Sequence, residues 1–595
     1  MFSVIFRTDG GAVDPGPARA AGHDVEFPDS TRRVAFISSK AGPVSAAAGA
    51  GGIRRLGGRY WIVGRIRLDA RADLVSLLAD RIAGSPADAS DAELCLYAYA
   101  EWGDAFVDRL AGDFCFALWD AGRHRLISVR DQLGVRCLFH AEAKGIWFVG
   151  DSLDWIVAQA PIARDLDDAW IADFLSVGHC LEFEPTVYRH IRRLAPAHVL
   201  TISEAGAAVR RYWRLDIPEP LYFRNRRHYA ERFLDLLSQS IADRLPAGRV
   251  GISMSGGLDS PTLAACAVGI TGDPARVAAE CFHFETSVVD EEKRFSSLVA
   301  RHLGIELRLR AMDNLTYDPE WRSRSIATAE PWAAIITADP ERTIAREQAG
   351  KAQVWFYGEG PDNALAFERN DYLKWLAGRG DWGRLVEAGL LYLKAKGTSD
   401  WIGTLRRHAG PREAIDDTFV PPPWLDRALV DRVDLPERLR GVGAAATSGH
   451  PSGHPWHPRA FASFNDPIWT AIFAGFDVEE TLAPLVWRHP FLDLRVLTFM
   501  LSVPPVPWAR EKLLLREAMQ GRLPAEVLAR KKVGFADSSL PQPIRTHGLP
   551  ALSRTGGLEN YVDVAALPTA LPSGRDLDRI VAVHALDHWL TARTP

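Results

Sequence analysis

The feature that most constrains this chain is a short loop set between a strand and a helix. Arg249-Val250-Gly251-Ile252-Ser253-Met254 reads as a buried strand, Ser255-Gly256-Gly257-Leu258-Asp259-Ser260 as a turn, and Pro261 to Val268 as a helix. A strand that runs into a helix returns as a parallel neighbour by crossing one face of a sheet. The pattern continues with a strand at Glu280 to Phe284, a helix at Glu291 to Leu303 and a strand at Val354 to Tyr357. Alternation of this kind predicts a doubly wound parallel α/β sheet.

The loop has its own chemistry. Two adjacent glycines let the backbone turn tightly and approach an anion without a Cβ clash. The N–H groups at the start of the following helix favour negative charge, and the Ser255 and Ser260 hydroxyls add donors. Asp259 has the wrong sign to attract phosphate, so it reads as a Mg²⁺ ligand bridging to phosphate oxygens. No lysine follows the second glycine, so this is not a Walker-type loop.

The segment resembles the S-G-G-x-D-S loop of ATP pyrophosphatases, which split ATP into AMP and pyrophosphate. Further segments resemble asparagine synthetases in the same order. Tyr357-Gly358-Glu359-Gly360-Pro361-Asp362-Asn363 is similar to their S-G-E-G-x-D-E loop, and Arg488-His489-Pro490-Phe491-Leu492-Asp493-Leu494-Arg495 to their R-x-P-F-L-D-x-R stretch. Lys512 to Glu517 and Arg530 to Phe535 resemble the K-x-x-L-R and R-K-K-x-G-F segments. The resemblance implies an ATP site built from Ser255, Gly256, Gly257, Asp259, Ser260, Gly358 and Lys532. It makes Asp259 and Asp362 the Mg²⁺ ligands, Lys532 the partner of the α-phosphate and Glu359 a candidate base for the attacking amine. Asp493 and Arg495 read as structural links beside the site.

The first ~210 residues read as short strands separated by Gly, Asp and Pro turns. Apolar runs lie at Tyr60 to Gly64, Phe114 to Trp119, Arg125 to Val129, Gly145 to Val149 and His198 to Ile202, with helical periodicity at Ala92 to Trp102 and Asp168 to Val177. This is the pattern of an α+β layered domain. Leu110 to Asp120 resembles the L-x-G-x-F-A-F-x-x-W-D strand of class II glutaminases, and Arg130 to Arg136 their R-D-x-x-G stretch. Working members of that class use a cysteine after the initiator methionine as nucleophile, its own α-amine serving as base. Here Phe2 stands at that place, Ser3 is a remote substitute, and the N-G-E segment that holds glutamine is replaced by Val63-Gly64-Arg65. Asp91 still matches a residue that grips the substrate amine. The expectation is a degenerate glutaminase-like sandwich over residues 1–212 and an asparagine-synthetase-like ATP-pyrophosphatase domain with helical additions over 225–595.

Without glutaminase chemistry, the amine is either free ammonia or part of the substrate. The second case resembles β-lactam synthetases and lasso-peptide cyclases. β-Lactam-forming members typically carry Tyr where Glu359 sits, which counts against them. The lasso reading implies a precursor core peptide as substrate and a leader-peptide protease as a possible partner. The other readings are an ammonia-dependent asparagine synthetase or another small-molecule amide or β-lactam synthetase, and a non-catalytic binding scaffold. Tryptophans 375, 382, 401, 424, 456 and 469 are candidate walls of a peptide chamber, or fillers of helix cores. His450, His454 and His457 lie in a Pro-rich stretch and read as solvated or peptide-contacting.

Composition closes off other classes. A net charge of −5 over 595 residues speaks against a nucleic-acid surface. Six cysteines without a C-x-x-C pair suit neither a zinc site nor a disulfide scaffold, and fit free thiols in a reducing cytoplasm. The apolar run at Met1 to Phe6 is too short for a signal peptide, and no stretch is long enough for a membrane span.

Overall fold

The computed structural model describes residues 1–39, 52–80, 88–285, 291–314, 321, 328–396, 420–440, 453–477, 485–531, 544, 548–553 and 556–593. The amino-terminal half stacks two six-stranded sheets. One has the order β10-β8-β9-β1-β3-β2, built from Arg192–Arg193, Phe139–Ala143, Ile146–Gly150, Phe2–Arg7, Val34–Ser38 and Asp24–Glu26. The other has the order β12-β11-β7-β6-β5-β4, from Gly206–Arg211, His198–Ser203, Arg125–Arg130, Gly112–Asp120, Tyr60–Leu68 and Arg54–Leu56. Phe2, Phe6, Phe36, Trp61 and Trp119 interleave in a core between them. The period-2 alternation explains this: Phe2, Val4 and Phe6 face the second sheet, while Ile5 faces a helical layer.

Helices cover both outer faces. On one lies α1 (Asp91–Trp102), started by a Ser90/Glu93 capping box. On the other lies α2 (Asp168–Val177), N-capped by Asp167. The last helix, Arg575–Arg593, shares this second core with Trp170, Phe174 and Trp424. The end of the chain therefore folds back to cover a sheet begun by its first strand.

The carboxy-terminal half carries a parallel sheet of order β15-β14-β13-β16-β17, from Glu306–Ala311, Val277–His283, Val250–Ser253, Val354–Phe356 and Val486–Arg488. Its central strands are buried, as parallel strands covered on both faces must be. Helices α3 (Arg227–Arg244), α4 (Asp259–Thr271) and α5 (Glu292–Leu303) pack on it around Leu237, Leu263 and Val299. All six cysteines are buried, and none is in a disulfide. Among the described residues no helix is long and apolar enough to cross a membrane.

The tryptophans do not share one chamber. Trp456, Trp424 and Trp469 are buried in three separate cores, Trp375 packs beside Trp456, Trp382 is exposed, and Trp401 lies outside the described residues. The histidine expectation also changes. His457 is buried with its Nδ1 against the Glu368 carboxylate, and His454 Nε2 lies 3.1 Å from the Ile217 carbonyl. Glu368 is far away in sequence, which is why a reading of the Pro-rich stretch alone missed this partner. His450 lies outside the described residues.

Candidate active site

Strand β13 delivers the chain to the loop at its carboxyl end, where an open α/β sheet places ligands. The Ser255 N–H donates to Ser260 Oγ at 2.8 Å, and the Gly257 N–H donates to Ser255 Oγ at 3.2 Å. The loop is thus folded onto the first turn of α4. A Cβ on Gly256 would lie 2.5 Å from Arg530 Nη1 and 2.9 Å from Phe295 Cβ, so no other residue fits. The Gly256 N–H donates to the Glu292 carboxylate, which also pairs with Arg530 at 2.8 Å.

Strand β16 ends in the second loop. Gly360 has φ +122, a conformation open to glycine and strained for other residues. This turn starts the one-turn helix Pro361–Ala364, which presents Asp362. Gly358 packs directly on the Asp259–Ser260 backbone, and half-buried Glu359 lies between the two glycines. The two loops, about a hundred residues apart, thus form one surface.

Lys512 connects them. Its ammonium contacts the Asp259 carboxylate and lies 2.7 Å from Asp362 Oδ1. Burial opposes the charge on Lys512, but Asp259 and then Asp362 more than offset it and raise its pKa above the ordinary value. Glu511 and Lys512 both occupy the left-handed region, at φ 49 and 54. That conformation costs about 1–2 kcal/mol per residue and persists where surroundings fix it. Arg516 supplies the fixing: it donates to the Glu511 carbonyl at 2.6 Å and the Arg530 carbonyl at 2.7 Å. Lys512, Arg516, Arg530 and Glu292 were not among the sequence-derived site residues. Three of them sat in the segments that resemble the family, but their convergence on Asp259 and Gly256 is tertiary. Lys532 lies outside the described residues.

The donor set suits a divalent cation. Two carboxylates converge on a single cationic nitrogen, so their oxygens surround one point, as hard oxygen ligands for Mg²⁺ do. A second acidic group, Asp69, Asp243 and Asp493, is different. Its three carboxylates lie within 4.8 Å of one another. Arg244 bonds Asp69 and Asp493 at 2.8 Å each, and Arg495 bonds Asp493 at 2.7 Å and Asp243 at 2.6 Å. Guanidinium groups fill that cluster, and it fastens α3 to the amino-terminal half. Asp493 and Arg495 accordingly act as structural links.

The amino-terminal pocket is closed in a similar way. Phe2 is buried within β1, paired with Ser38, and its N–H donates to Asp151 Oδ1 at 2.6 Å. Ser3 is fully buried mid-strand and donates to the Phe2 carbonyl. Arg65 lies 2.9 Å from Asp151 and 2.8 Å from Asp477. Burial works against its charge, yet Asp477 and Asp151 more than compensate and hold the guanidinium well above its ordinary pKa. Asp91 accepts from the Leu68 N–H and from Arg71, so its carboxylate is engaged within its own domain.

Comparison with known proteins agrees with this layout. A glutamine amidotransferase domain model matches residues 82–213, and an asparagine synthase model matches residues 232–591. "Asparagine synthetase [glutamine-hydrolyzing] 3" of Bacillus subtilis (strain 168) is 23% identical, over 76% of this chain and 72% of its own. A putative glutamine-hydrolyzing asparagine synthetase of Mycobacterium bovis is 29% identical, over 76% of this chain and 70% of its own. "Amidase chyE" of Penicillium rubens is 26% identical over 38% of this chain and 35% of its own. With the asparagine synthase model spanning well over half its length, the chain belongs to the asparagine synthase family, whose members form amides with ATP.

Proposed function

We propose that this protein closes a macrolactam in a lasso-type peptide, joining an Asp or Glu side chain of a core peptide to that peptide's own N-terminal amine. The observation that carries the reading is the contrast between an intact acid–lysine site in the synthetase half and a glutaminase-like pocket filled by the Arg65–Asp151–Asp477 cluster. An amide-forming site with no glutamine chemistry beside it needs its amine from elsewhere, and a substrate that carries both acid and amine supplies it.

A carboxylate is a poor electrophile, because attack builds charge on an already anionic group. In the proposed reaction a carboxylate oxygen attacks the α-phosphorus of ATP and pyrophosphate leaves. The amine nitrogen then attacks the acyl carbon, AMP leaves, and the nitrogen loses a proton. Asp259 and Asp362 would hold Mg²⁺, which supplies charge neutralisation on the triphosphate when bound. The Ser255–Ser260 loop and Gly358 cradle the phosphates. Lys512, released from the two carboxylates, stabilises developing negative charge, usually the largest contribution in such transfers. Lys532 is assigned to the α-phosphate by resemblance. Glu359 is assigned to take the amine proton by resemblance.

A second reading, an ammonia-dependent asparagine synthetase, draws on the names of the relatives and on the retained Glu359. The experiment is pyrophosphate release with Mg-ATP, comparing a candidate core peptide from the same genome with free aspartate plus ammonia. Release with the peptide, and a product lighter by one water, supports the cyclase. Release only with aspartate and ammonia overturns it. The leader-peptide protease remains a proposed partner, tested by adding it to the same assay.

A further inference from the structure

A cavity of about 310 Å³ lies in the seam between the two halves, apart from the nucleotide loops. Its walls come from α2 and the turn after it (Trp170, Phe174, His179), from residues 328–334 (Trp332 among them), and from one side of the helix Ile468–Phe476 (Thr470, Ala471). No residue of the 255–260 or 358–362 loops lines it. This volume is at the lower end for ligand sites, which are mostly apolar with a few placed polar groups.

Two observations point to an occupant. Among the described residues the charged groups in the walls are already matched: Arg193 pairs with Glu330 at 2.6 Å, and Glu182 with Arg438 at 2.8 Å. A charged ligand would find no unmatched counter-charge among them. Two buried donors stand in contrast. Among the described residues Trp170 Nε1 and Thr470 Oγ1 meet no hydrogen-bond partner, although Trp170 is 5% and Thr470 8% exposed, and both residues line the cavity. Buried polar groups are otherwise hydrogen-bonded, so each such exception calls for a partner. Trp170 is stacked on Phe174 at 5.4 Å, giving a flat apolar wall. The cavity is also close to the chemistry. Phe476, one residue past the lining residue Gly475, packs at 4.8 Å on Tyr357, which leads directly into Gly358 and Glu359.

We infer that this seam cavity is a substrate subsite for an uncharged peptide segment, whose carbonyl oxygens accept from Trp170 and Thr470 while an apolar side chain packs on Trp332 and Phe174. Its biological meaning rests on the peptide-ligase reading, but its test does not. The probes are N-acetyl-leucinamide and N-acetyl-phenylalaninamide, with free leucine as the charged control, titrated in ligand-observed NMR against the full chain. Saturable binding of the blocked amides, and none of free leucine, is expected. Thr470→Val and Trp170→Phe each remove a donor while keeping shape and should weaken binding about five-fold. Ala471→Trp should fill the space and abolish it. ATP affinity, measured alongside, should be unchanged in Thr470→Val and shows that this variant is folded. Absence of saturable binding to the wild type, or equal binding in Thr470→Val and Trp170→Phe, overturns the inference. A precursor peptide that fails to cyclise while the blocked amides still bind would sink the proposed function and leave this subsite standing.

Discussion

Two charged clusters, one joining Arg65 and Asp151 of the amino-terminal half to Asp477 of the other and one wholly within the carboxy-terminal half, contain similar residues and do opposite things. Around Arg65 the side chains of Arg65, Asp151 and Asp477 are 2%, 0% and 1% exposed. Around Lys512 the exposures of Lys512, Asp259 and Asp362 are 15%, 18% and 49%. The first cluster is matched and closed, with its charges spent on one another and on the Phe2 N–H. The second is more open to solvent, sits on a glycine loop, and holds the Lys512 ammonium between the two carboxylates proposed to take Mg²⁺. Exposure, more than the identity of the residues, separates a fastening from a reaction site.

Breaking each cluster should give opposite readouts. Arg65→Met takes the guanidinium away from two buried carboxylates, and breaking a buried ion pair costs about 3–5 kcal/mol. The urea midpoint should fall strongly, while pyrophosphate release per folded molecule stays at the wild-type value. A large loss of turnover at unchanged stability would erase the distinction between the clusters.

The converse variant is Asp362→Asn. Its side chain is half exposed, so the thermal midpoint should move little. Loss of one of the two carboxylates proposed to hold Mg²⁺ should slow pyrophosphate release by about 10²–10³-fold, the scale seen when one charge-stabilising group is removed. Asp259→Asn should behave alike, and normal turnover in either would remove the assigned site.

How much of this was legible in the sequence follows from where each contact is made. The loops at Ser255–Ser260 and Gly358–Asp362 were readable because a strand, a glycine turn and a helix are local features, and their chemistry lies in consecutive residues. The lysine between the two acids was not, since Lys512 is about 250 residues from Asp259 and reaches it from a left-handed backbone. Edge strands also escaped. The sequence Glu306-Leu307-Arg308-Leu309-Arg310-Ala311 alternates charge with apolar residues as an exposed edge does, and β17 is only three residues long. The burial of His457 against Glu368 likewise depends on a partner 89 residues away.

His489 lies beside Tyr357, Phe473 and Phe476, close to the second loop. Burial pushes its pKa down from 6.5 to about 4. A base with a lowered folded-state pKa stabilises the fold above its unfolded value, and that stability is lost as pH falls through the folded value. Between pH 6.5 and 4 this amounts to about 3 kcal/mol. Unfolding free energy measured across that window should fall more steeply in the wild type than in His489→Leu. Parallel slopes would mean that His489 is not a source of the acid sensitivity.

The smallest expected effect is the most informative about the closed cluster. Phe2→Cys places the missing thiol at the position where the glutaminase class carries its nucleophile. Restored chemistry would need the amide N–H that now donates to Asp151 to be freed, and it would need an acidic group to hold the substrate amine where Arg65 stands. Neither is supplied by a single substitution in a strand whose residues are paired on both sides, to Ser38 and Ile37 and to Gly150. Glutamate release from glutamine should therefore remain at background in Phe2→Cys. It should remain there in Phe2→Cys combined with Arg65→Glu, because Asp151 and Asp477 would then face a third carboxylate in a buried site. Measurable glutamate from the single variant would show that the pocket is intact behind Phe2 and that the amine of the natural reaction can arrive through the amino-terminal half.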